Sequence, residues 1–147
     1  MKTRSLIGIA ALFAVSLAMF AAKEETLQAL IARAEAAPLR DRPGLYIEIA
    51  ARQLKSADGL YDQGKADEAR IAVQDVVTYS SKARDAAIES NKKLKNTEMA
   101  MRNMARHLQD MKHTLNYEDQ PPVQTAADRL ETLADDLLSH MFGKSKR

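Results

Sequence analysis

The sequence predicts an all-α protein, an elongated antiparallel helical hairpin or bundle built on a long central helix. Three observations carry that expectation. Alanine, leucine, glutamate, lysine, arginine and glutamine dominate the stretches between breaks, and these side chains lose little freedom on entering a helix. No clear run of alternating β-branched residues marks a strand. Breakers are sparse, with neither glycine nor proline between Gly64 and Pro121.

The chain opens on MKTRSLIGIAALFAVSLAMFAA, a basic start at Lys2 and Arg4 followed by apolar or small residues from Leu6 to Ala22. That layout predicts a signal peptide over 1–22 and an exported protein, periplasmic or extracellular. Ala18 and Ala21 are the favoured cleavage points, because small residues suit the peptidase pocket. An uncleaved leader would be the route to membrane contact. Removing Lys2 and Arg4 from the 22 basic residues leaves 20 against 20 acidic ones. A neutral exported chain gives no support for nucleic-acid binding, which needs a sustained basic excess. The chain has no cysteine, so disulfides, thiol catalysis and zinc–cysteine clusters are excluded and packing alone must hold it together.

After the leader, one domain over 23–143 is expected, with a basic tail at 144–147. The first helix covers about 23–36, with Leu27, Leu30, Ile31 and Ala34 on one face. A second runs over about 44–63, behind Pro43 in the first-turn position that proline tolerates. It carries Ile47, Ala50, Leu54, Ala57 and Tyr61 on one stripe. The last covers about 122–141, with Val123, Ala126, Leu130, Leu133, Leu137 and Met141 aligned and Gly143 as its stop.

Between them, positions spaced alternately by four and three from Ala69 to Leu115 form one seam. It runs through Val73, Val76, Ser80, Ala83, Ala87, Ser90, Leu94, Thr97, Met101, Met104, Leu108 and Met111. A seam held in phase over that distance predicts a single helix over about 66–115. The flanking helices would fold back along its two halves, leaving the C-terminal half with a two-helix layer that self-associates, most simply into a homodimer. The competing arrangement breaks near ESNKKLKN (89–96), where Ser90, Asn91 and Asn96 could interrupt the helix, and gives a compact four- or five-helix bundle.

The segment EMAMRNMARHLQDMKH (98–113) holds four of the seven methionines and two of the three histidines. Met101, Met104 and Met111 share the seam with Leu94, Leu108 and Leu115, which predicts core. At about 100° per residue His107 falls on the flank, His113 well outside and Met99 on the opposite side. Met101, Met104 and His107 are successive i, i+3 neighbours, and thioethers suit Cu(I), so copper binding is the alternative for this stretch. Asp110 with His113 has carboxylate–histidine spacing but lacks the partner helix that a helical metal site needs. Asp136 and His140 are spaced for an ion pair. No catalytic, cofactor or metal residue is therefore assigned.

Ser80, Ser81 and Ser90 lie within helix without the Gly-x-Ser-x-Gly context of a presented nucleophile, and no glycine-rich loop cradles a phosphate. A non-enzymatic protein acting by contact is the expected class, as scaffold, adaptor or assembly partner. A periplasmic chaperone-like or copper-responsive protein is the alternative. LYDQGKADEAR (60–70), with Ala57, Gly64, Glu68 and Ala69, resembles the turn of a tetratricopeptide-type helical hairpin, which implies a protein-contact role. The match covers 57–70, without a second copy 34 residues later. As a whole, the chain is similar to exported bacterial helical proteins of unassigned function.

Overall fold

A computed structural model describes residues 24–143; the expected signal peptide and basic tail lie outside that range. The described residues are helical, without strands. No helix among them is long and apolar enough to cross a membrane.

Helix α1 spans Leu27–Ala36. It begins later than the composition predicts because Thr26 caps it, its Oγ1 accepting the Ala29 N–H at 3.1 Å. Leu30 and Ala34 are buried, with Leu27 and Ile31 half-buried beside them. Helix α2, Arg42–Asp62, carries Pro43 in its first turn. Its buried face adds Tyr46 and Ile49 to the predicted Ala50, Leu54 and Ala57. The turn that follows depends on Gly64, whose φ of +74° lies in the left-handed region. The Lys65 N–H donates back to the Leu60 carbonyl at 2.8 Å and the Gly64 N–H to Tyr61 at 3.0 Å, which closes α2 and lets the chain reverse.

The long central helix is corrected here. The chain forms α3, Ala66–Ser90, and α4, Leu94–Thr114, separated by Asn91, Lys92 and Lys93. Asn91 and Lys93 both have left-handed backbones, with φ of +54° and +56°. Ser90 ends α3: its hydroxyl donates to the Ala86 carbonyl at 2.7 Å and accepts the Lys92 N–H at 3.3 Å. The seam survives the reversal because the step from Ser90 to Leu94 is four residues, the same count a helical turn would use. Phase in the sequence therefore continues while direction does not. Of the fourteen seam positions, Ser90, Leu94 and Leu115 are half-buried and the other eleven are buried.

A 3₁₀ turn at Tyr117–Asp119 leads into α5, Gln120–Gly143. Pro121 and Pro122 sit in its first turn, where a missing N–H costs nothing. Helices α2 and α3 make one antiparallel hairpin, tied by Gln53 Nε2 to Asp75 at 2.8 Å. Helices α4 and α5 make another, tied by Lys112 to Gln124 at 2.7 Å. The hairpins lie side by side. Arg70 meets Asp119 at 3.3 Å and Arg84 meets Asp136 at 2.5 Å, so α3 and α5 run parallel. Asp58 meets His107 at 2.5 Å and Lys93 lies over Gly44, so α2 and α4 run parallel as well. The predicted two-helix layer in the C-terminal half is thus replaced by a four-helix bundle whose shared core includes Ile49, Val76, Met101, Leu108, Leu130 and Leu137.

Helix α1 lies on α2 and on the C-terminal half of α3. Glu35 accepts from Lys82 at 3.0 Å and from the Tyr46 hydroxyl at 3.1 Å. The Lys82 ammonium also sits 5.6 and 5.5 Å from the ring centres of Tyr46 and Tyr79. The Lys82 hydrogen bond holds the Glu35 carboxyl below the usual glutamate range, desolvation opposing it and Tyr46 adding to it. The same bond raises Lys82. The Glu35 contribution is present above the unfolded glutamate pKa and is lost as pH falls from about 4.3 through the lower folded value. The Lys82 contribution is lost only at strongly alkaline pH. On acidification, protection from hydrogen exchange relative to the intrinsic rate at each pH is expected to fall in α1 before it does in α4, and in Glu35→Gln the loss in α1 should already be present at neutral pH.

Candidate interaction surface

The methionine-rich stretch resolves into core and rim. Met101, Met104 and Met111 are buried, as the seam predicts, while Met99 is 49% exposed. His107 Nε2 lies against Asp58, so this flank residue joins α4 to α2. Asp110 and His113 are exposed. Among the described residues no group of three or more histidine, aspartate or glutamate side chains is placed to hold a metal ion. Asp136 takes Arg84 as its partner and not His140, whose Nε2 is buried without a hydrogen-bond partner among the described residues. The Ser80 and Tyr61 hydroxyls are likewise unpartnered. Ser80 is fully buried within α3, far from the exposed, presented geometry that nucleophilic catalysis requires.

Part of the conspicuous charge is consumed by ion pairs within and between helices. Arg102 binds Glu98 on its own helix and reaches Glu131 at 2.7 Å and Asp135 at 2.9 Å on α5. Arg52 donates to the Glu25 carbonyl at 2.5 Å and to Glu48 at 3.2 Å. That arginine also borders a surface depression of about 670 Å³, whose lining of Glu24, Glu25, Lys55 and Ser56 is polar.

A different surface forms between the parallel helices α3 and α5. A groove of about 580 Å³ opens between Val73 and Val77 on one side and Pro122 and Ala126 on the other. Val73 and Ala126 are buried in its floor, and Val77 and Pro122 are half-covered. Gln74 and Thr125 are the neutral polar groups on its walls, and Arg70 and Arg129 stand at its edges. Arg70 is pinned between Asp67 at 3.2 Å and Asp119 at 3.3 Å; Arg129 is exposed. Ile71, 63% exposed, and Tyr117, 87% exposed, lie toward the same end of the bundle.

The groove pairs no nucleophile with a base. It can accept apolar side chains at its floor, while Arg129, exposed at one edge, favours an acidic group there. Sequence reasoning did not find it. The broad apolar face of residues 66–90, with Val77 beside the seam, was the available signal. The α5 wall, however, arrives only through the reversal at Asn91–Lys93.

Compared with protein-family models, curated proteins and solved structures, the chain matches none of them.

Proposed function

We propose that the chain is an exported, non-enzymatic helical protein that acts by protein contact, as a scaffold, adaptor or assembly partner in the cell envelope. The observation that carries this reading is the α3–α5 groove, apolar in its floor and with exposed Arg129 at one edge. Apolar surface left open on a packed bundle is most simply used by a partner that covers it, at about 25 cal/mol per Å² buried. The leader-like start and the neutral balance of the remaining chain add to the reading. The partner that fits is a protein segment presenting apolar anchors beside acidic residues.

Site-specific photo-crosslinking in the exported compartment tests it. A crosslinker at Thr125, on the groove wall, is expected to capture a discrete protein partner, and Arg129→Glu should reduce that capture. A crosslinker at exposed Lys55 on α2 should not capture the same protein. Equal capture at both positions, or none at Thr125, contradicts the reading. Export is tested separately, because the intact mass of the mature chain should begin between Met19 and Glu24. A chain retained in the membrane with Met1 in place would overturn export.

The chaperone-like or copper-responsive alternative is less well supported. Met101 and Met104 are buried and His107 is engaged by Asp58.

A further inference from the structure

We infer that the α3–α4 joint is an exchange hinge, through which two copies of the chain swap their α4–α5 hairpins. Two independent observations meet at this joint. The first is conformational. Asn91 and Lys93 both occupy the left-handed region without being glycine, and that region is unfavourable for an L-residue with a side chain, least so for asparagine. Asn91, Lys92 and Lys93 are exposed, so no burial holds their backbones in place.

The second lies in the sequence. The chain has no glycine or proline from Lys65 to Gln120, and the apolar seam crosses the joint in phase. No residue of the turn forbids a continued helix, and Lys92 and Lys93 are good helix formers. Short hinges under strain are the places where exchange of identical elements between copies is least costly.

Straightening the joint joins α3 to α4 as one helix of about 75 Å. The α4–α5 hairpin then leaves its own α2–α3 hairpin, and the equivalent hairpin of a second copy takes its place. Because α3 and α4 are antiparallel in the closed chain, two straightened helices crossing antiparallel at the joint rebuild the same bundle twice. The Arg84–Asp136, Arg70–Asp119 and Asp58–His107 contacts all re-form between copies. What changes is the joint, which loses its left-handed residues, and the ends of the two bundles, which come together. Phe142, 67% exposed, lies at that end. The exchange does not involve the α3–α5 groove partner, so failure here leaves the crosslinking result at Thr125 unaffected.

The test compares hinge variants of the full mature chain, refolded over a range of concentrations and sized by light scattering. The double variant N91A/K93A disfavours the left-handed turn and favours helix. It is expected to raise the monomer–dimer association constant by about tenfold or more, whereas N91G/K93G should stay monomeric. Exchange is separated from side-by-side pairing by spin labels at Ile71→Cys and Tyr117→Cys, with doubly labelled chains diluted into unlabelled ones. In an exchanged dimer the labels of one chain lie about 70 Å apart along the straight helix; in a side-by-side dimer they stay close. A monomeric N91A/K93A, or a dimer that keeps the short label distance, overturns the proposal. If the double variant does not fold, Asn91→Ala alone is read by the same criteria.

Discussion

Leu108→Ala is expected to lose about 2–5 kcal/mol of stability, the range for emptying a leucine site in a packed core. Leu108 is fully buried on α4, within a core that draws on both hairpins. The truncated methyl groups would leave a void that rigid neighbouring helices fill only in part. Met99→Ala, about two and a half turns earlier on the same helix, should change stability by less than about 0.5 kcal/mol, since Met99 is 49% exposed. Both are read from denaturant midpoints at constant m-value. The contrast separates core from surface within one methionine-rich segment. Equal, small effects at the two positions would mean that α4 does not face a core.

Arg102→Ala should be the most damaging of the charge substitutions, at about 1–3 kcal/mol. Its guanidinium serves Glu98, Glu131 and Asp135 together. Glu98 is only 8% exposed, so losing its cation leaves a nearly buried carboxylate unpaired, beside two more of the same sign. The outer carboxylates are better solvated and contribute little by themselves. The Glu98 hydrogen bond, followed by that of Asp135, raises the Arg102 pKa above its usual range. A raised cation stabilises the fold at every pH below its unfolded value and loses that effect only above it, so Arg102 itself does not titrate between mildly acidic and mildly alkaline pH. The double-mutant cycle is the sharper test. In a Glu98→Gln background, Arg102→Ala should cost distinctly less, because no buried charge is then abandoned. Equal costs in both backgrounds would show that Glu98 is not the group that Arg102 stabilises.

Much of this architecture was legible in the sequence, for reasons that individual residues show. Helix periodicity marked Leu30, Leu54, Val76, Met104, Leu108 and Leu133 as inward-facing, and each is buried. Periodicity reports which side of a helix is dry, and that survives whatever the helices do next. It does not report direction. Ser90 and Leu94 keep the same register whether the chain between them continues or turns back, so the reversal at Asn91–Lys93 could not be read from phase. It reflects the burial gained when α4 and α5 fold onto α2 and α3, a tertiary gain that overrides a helix-competent local sequence. The α3–α5 groove was hidden for the same reason, since Val77 and Pro122 become neighbours only after the turn.

The closed two-hairpin bundle is the claim on which the core, the groove and the hinge all depend. It is tested most directly by one distance within a monomer. The chain has no native cysteine, so Ile71→Cys and Tyr117→Cys accept spin labels at two exposed positions and nowhere else. The Arg70–Asp119 contact at 3.3 Å puts these positions at the same end of the bundle. Strong dipolar coupling between the labels of a dilute monomer, indicating a short separation, is the expected result. A monomer with the labels about 70 Å apart, the span of an unbroken helix from α3 to the end of α4, would contradict the account.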